Sequence, residues 1–125
     1  MVRVRYMVNE VEPAVEFYTK HLGFEVKMEN APYFAMLARD GVGLVLSTPF
    51  GPGGAAKPMN DGSKPEAGQG WNRMIIDVDD LESEIKRLSS AGIKFRNDIA
   101  TGRGGSEVIL DDPSGNPVEL FQPQR

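Results

Sequence analysis

Apolar and polar positions alternate over Val2–Val8. Val2, Val4, Tyr6 and Val8 fall on one face, and Arg3, Arg5 and Met7 on the other, which predicts a half-buried strand. The period then changes. Val11, Val15 and Tyr18, flanked by Ala14, Phe17 and Leu22, form a stripe at helical spacing. Asn9 is the expected N-cap, with Glu12 completing a capping-box-like pair, Pro13 tolerated in the first turn and Gly23 ending the helix. Short strands are expected at Phe24–Met28, Tyr33–Ala38 and Val42–Thr48, the last two joined by a tight turn at Arg39-Asp40-Gly41. The first half therefore reads βαβββ.

From Phe50 to Gly70 the chain turns to Gly, Pro, Ala and polar residues without periodicity, as a linker or lid loop would. The pattern then repeats. Met74, Ile76 and Val78 alternate with Arg73, Ile75 and Asp77, and Asp79-Asp80 stands where Asn9-Glu10 stood. Leu81, Ile85 and Leu88 match Val11, Val15 and Tyr18, and Gly92-Ile93 matches Gly23-Phe24 after a one-residue deletion. Strands at Ile93–Arg96, Glu107–Leu110 and Pro117–Gln122 complete a second βαβββ unit. Two unrelated α+β halves would also give these elements, but their matched order favours duplication. The expected division is 1–50, 51–70 and 71–125, together one domain.

Asp112-Pro113-Ser114-Gly115 is a type I turn signal, followed by a strand with Val118 and Leu120 on one face and Glu119 and Phe121 on the other. A carboxylate at Glu119, on a half-buried strand, needs a metal, an arginine or a ligand beside it.

Three motifs, E-x-x-x-A-V-x-F-Y-x-x-x-L-G-F at Glu10–Phe24, V-D-D-L at Val78–Leu81 and D-P-x-G-N-x-x-E-L at Asp112–Leu120, occur in this order with the duplication. The chain resembles the glyoxalase / bleomycin-resistance / extradiol-dioxygenase superfamily, the vicinal oxygen chelate fold. The resemblance implies an α+β fold in which two βαβββ modules form a curved mixed sheet around a cleft, with helices outside. It places Arg3, Arg5, Met7, Val45, Ser47, Arg73, Ile75, Asp77, Glu119 and Phe121 on the cleft face. Metalloenzymes of that superfamily take ligands from the first and last strand of each module, here Arg3, Val45, Arg73 and Glu119. Arginine is a fixed cation and valine has no donor atom, so no metal is expected. An Arg73–Glu119 pair, bidentate and joined by Arg3, is expected in its place, holding the Glu119 pKa low. The alternative is that these arginines bend to the rim and stay solvated.

Three cations (Arg3, Arg5, Arg73) against two anions (Asp77, Glu119) favour a ligand carrying a carboxylate or similar anion, with Met7, Ile75 and Phe121 for apolar contact. Trp71 is placed to stack on a flat ligand or to anchor a dimer or hinge. Phe95-Arg96-Asn97-Asp98 reads as solvated loop or rim, His21 as a helix C-terminal residue, and Gly102–Gly105 as a turn without phosphate-loop context.

A net charge of −4 without a basic tract argues against nucleic acid, and no apolar run is long enough for a membrane span. Zero cysteines exclude disulfides and fit a cytoplasmic, soluble protein. With one His and no Cys, neither a Ser-His-Asp nor a Cys-His set is expected. The expected function is metal-free binding of a small molecule by a homodimer. The alternatives are an enzyme (a metal-dependent lyase or dioxygenase with Glu119 in its metal set, or an isomerase using Glu119 as base) and a dimeric module whose cleft its own side chains fill.

Overall fold

The segments of period two become strands and the two helical stripes become helices, in the computed structural model of residues 2–68 and 70–124. Met1, Arg125 and Gln69, the last inside the expected linker, lie outside the described residues. The chain forms two compact units, Met1–Gly68 with Asp112–Asn116, and Gln69–Asp111 with Pro117–Arg125. Among the described residues no helix is long and apolar enough to cross a membrane.

In the first unit β1 (Arg3–Met7), α1 (Val11–Leu22), β2 (Glu25–Asn30), β3 (Phe34–Arg39) and β4 (Val42–Ser47) follow one another. They build a four-stranded mixed sheet of order β1-β4-β3-β2. Strand β1 is parallel to β4, with Arg5 opposite Val45, and α1 supplies part of the crossover that parallel pairing requires. Tyr6 and Val8 are buried, and the Tyr6 ring meets the Tyr18 ring of α1 edge-on at 6.3 Å. The half-buried strand expected from the alternation thus buries Tyr6 and Val8, while Val2 stays exposed. Asp40 (φ 52°) and Gly41 (φ 77°) both occupy the left-handed region, which lets Arg39 pair with Val42 across a two-residue hairpin turn.

The N-cap of α1 is Glu10, not Asn9, and its side chain makes no cap bond. The Asn9 amide instead donates to Ser114 Oγ at 2.8 Å, and the chain stays extended for one residue more. Gly23 ends the helix at φ 71°, and Arg39 Nη1 donates to the Leu22 carbonyl at 2.7 Å, satisfying a terminal acceptor.

The second unit repeats the plan with β5 (Met74–Asp77), α2 (Leu81–Ser90), β6 (Ala100–Thr101), β7 (Gly105–Asp111) and β8 (Pro117–Pro123), in the order β5-β8-β7-β6. Ile75 lies opposite Glu119 as Arg5 lies opposite Val45, the correspondence expected from the repeat. Leu81 and Leu88 are buried like Val11 and Tyr18. The Ile93 amide bonds the Leu88 carbonyl as the Phe24 amide bonds that of Tyr18. Asp80 caps α2, accepting from the Ser83 amide at 3.1 Å and from its hydroxyl at 2.7 Å.

The strand expected at Ile93–Arg96 does not form. Phe95 makes one bridge to Leu110, and the pairing with β7 resumes only at Ala100–Thr101. Local side chains compete for the ladder. Asn97 Oδ1 takes the Ile109 amide at 2.9 Å, and the Arg96 guanidinium is drawn to Asp111 at 2.7 Å.

The Asp112–Asn116 turn clusters with the first unit, and its bonds say why. Asp112 Oδ1 accepts from the Ser114 and Asn116 amides at 2.8 and 2.9 Å. Its Oδ2 accepts from the Tyr18 hydroxyl at 2.8 Å and from Asn116 Nδ2 at 3.0 Å. Asn116 Nδ2 also donates to the Met7 carbonyl at 2.7 Å, and Asn116 Oδ1 accepts from the Gly68 amide at 3.1 Å. Burial drives the Tyr18 pKa far above that of a free phenol, and the Asp112 charge and hydrogen bond push it further, so the hydroxyl remains a donor. The Asp and Asn of this motif are structural.

Candidate functional site

In the second unit the parallel register sets Ile75 opposite Glu119 and Asp77 opposite Phe121, and Arg73, just before β5, reaches Glu119 with its side chain. Glu119 is 5% exposed and its partner is Arg73, whose Nε and Nη2 lie 2.9 and 2.8 Å from the same oxygen, Oε1. The expected pair forms, but both donors converge on one oxygen instead of bridging two. Arg73 Nη1 donates to the Trp71 carbonyl at 2.8 Å, and Nη2 stands 3.7 Å from Glu107 Oε2.

Glu107 was not anticipated, although alternation along β7 puts it beside Ile109, the residue that faces Glu119. It changes the electrostatics. Burial raises the Glu119 pKa, a hydrogen bond with Glu107 raises it further, and Arg73 offsets this only in part. The expectation that arginine would hold this carboxyl low is therefore corrected: desolvation and a second acid outweigh one partly exposed cation.

Ile75 is exposed, and Phe121 is half-buried with its ring beside Gly104. Asp77 is exposed opposite Phe121. Trp71 is 76% exposed, and the Arg96 guanidinium lies 5.9 Å from its ring centroid, at the edge of cation–π range.

The first unit holds a cavity of about 280 Å³ on its own sheet. Arg3, Arg5, Val45 and Ser47, four of the expected site residues, line it. Met7 is not in its lining, and its carbonyl is engaged by Asn116. Arg3 lies opposite Gly43, where a Cβ would come within 2.7 Å of Arg3 Cγ; glycine there lets the arginine stem lie across the neighbouring strand. The rest of the wall is Tyr33, Phe34, Met36, Thr48, Phe50 and the loop residues Gly53, Gly54, Ala55 and Ala56. The loop part of this wall has no periodicity to reveal it. Arg3 and Arg5 have no carboxylate of the first unit within ion-pair distance among the described residues.

The four positions at which the resemblance implies metal ligands offer a poor donor set. Arg3 and Arg73 repel a cation, Val45 has no donor, and Glu119 has one oxygen committed to Arg73. These residues do not fit a divalent ion.

Comparisons with known proteins agree with the fold. The chain is 28% identical over 123 residues to the Bacillus subtilis (strain 168) protein YurT, covering 92% of each. The solved lactoylglutathione lyase of Agrobacterium tumefaciens is similar with a TM-score of 0.75 at 18% identity, over 98% of this chain and 92% of that one. TnmS3, an antibiotic binding protein from Streptomyces sp. CB03234, is similar with a TM-score of 0.72 at 22% identity, over 99% and 96%. Residues 1–120 match the model of one family, and the chain belongs to the Glyoxalase/Bleomycin resistance protein/Dioxygenase superfamily.

Proposed function

We propose that this chain is a metal-free binding member of its superfamily, holding a small, partly apolar ligand with an anionic group in the cavity of the first unit. The carrying observation is the lining itself: two arginines with no carboxylate of the first unit within ion-pair distance among the described residues, together with aromatic and aliphatic side chains. Small-molecule sites combine an apolar lining with a few polar groups in this way. The antibiotic-binding neighbour supports the reading by kind, since binding asks only for a shaped cavity. Assembly as a homodimer is part of the proposal, and the mass of the native particle tests it.

Fluorescence titration with anilinonaphthalenesulfonate, an apolar anion, tests the binding. The expected result is one saturable site that survives dialysis against EDTA. An Arg3→Gln/Arg5→Gln double variant should weaken it about tenfold, roughly 1.4 kcal/mol. Absence of saturable binding would contradict the proposal.

A second reading, favoured by the raised pKa of Glu119, makes that carboxylate a general base. It predicts lactoylglutathione lyase or related turnover that disappears in Glu119→Gln. The binding reading predicts none in either protein.

A further inference from the structure

We infer that the ligand of this cavity is a planar aromatic anion, held at its charged end by Arg3 and Arg5 and on its body by the rings of Tyr33 and Phe50. The inference rests on the proposal that this cavity is the binding site. Two ring-bearing stretches, distant from each other in sequence, are fixed to one residue. Thr48 is buried, and its amide lies 3.0 Å from the Tyr33 carbonyl. Its hydroxyl lies 3.2 Å from that carbonyl and 2.9 Å from the carbonyl of Phe50. The backbones that carry the two rings are thus anchored to one buried side chain.

Gly51 completes the arrangement. Its φ of 100° is one that side-chain-bearing residues rarely adopt, and a Cβ there would stand 2.6 Å from Tyr33 Cε1 and closer to Cδ1. The Tyr33 ring lies where any other residue would place its side chain. Tyr33 is nevertheless 37% exposed and Phe50 52% exposed, apolar area at the cavity that a stacked ring would cover. Arg3 and Arg5 suit the same ligand twice over, because guanidinium pairs with carboxylate or sulfonate and also stacks on aromatic faces. A cavity of about 280 Å³ has room for a fused two-ring body.

Three probes of one shape separate the terms: naphthoate, its saturated counterpart decahydronaphthoate, and naphthylmethylammonium, each used to displace anilinonaphthalenesulfonate. Naphthoate should displace it, decahydronaphthoate about tenfold more weakly, and the ammonium not at all. Tyr33→Leu, at a half-exposed position, should bring the ratio of the two carboxylates close to one without loss of the folded circular dichroism spectrum. Gly51→Ala should weaken naphthoate more than decahydronaphthoate. Equal displacement by the ammonium would overturn the anionic class, and equal affinity of the two carboxylates in the wild type would overturn the aromatic grip. In either case saturable binding of the fluorescent probe would leave the binding proposal standing; its absence would remove both.

Discussion

Asp112→Ala is expected to cost about 3–5 kcal/mol of stability, the largest single loss foreseen for this chain. The carboxylate is 4% exposed and accepts four hydrogen bonds, two within its own turn backbone, one from Asn116 and one from Tyr18. Removing it leaves the buried Tyr18 hydroxyl without its acceptor and frees the turn that also holds Met7 and Asn9. Tyr18→Phe deletes one donor and leaves the other three bonds in place, so it should cost about 1–2 kcal/mol. Urea unfolding of both single variants and the double variant gives the coupling directly. A loss below about 1 kcal/mol for Asp112→Ala would show that the turn is not held as described.

Arg73→Met is expected to cost about 2–4 kcal/mol near neutral pH, because it strands a buried carboxylate beside a second acid. The figure is lowered from that of a fully buried pair because the Arg73 side chain is 25% exposed and partly screened. The loss should shrink on acidification, as protonation of Glu119 removes the charge that Arg73 had balanced. The wild type carries a related pH dependence. The folded-state pKa of Glu119 is raised above its ordinary 4.5, so proton uptake by this group favours the folded form. That contribution is fully present below 4.5 and is lost as pH rises through the folded value. Melting temperatures of wild type and Glu119→Gln, compared from about pH 7 downward, should therefore diverge in favour of the wild type as pH falls. A difference independent of pH would mean that the folded pKa of Glu119 is not raised.

Much of this could be read from the chain because burial follows period. Tyr6 and Leu120 lie inside where alternation placed them, and the offset between halves matched Val45 to Glu119 before any register was known. Boundaries moved where side chains from elsewhere intervened. Asn9 lost its capping role because its amide is bound by Ser114, 105 positions away, and Asn97 replaced backbone in the sheet ladder. Arg73 and Glu119 were legible as a pair, but the sign of the pKa shift depended on Glu107, reached only through the β7–β8 pairing. Phe50 was hidden for another reason: a loop has no repeat, and its backbone is held by the bond its carbonyl accepts from the Thr48 hydroxyl.

The proposal that binding here needs no metal is tested most directly by native mass spectrometry of protein purified without chelator, with metal content measured on the same sample. The expected result is a particle at the mass of two chains, alone or with a small organic anion, and metal far below one equivalent per chain. Near-stoichiometric metal that disappears in Glu119→Gln would contradict it.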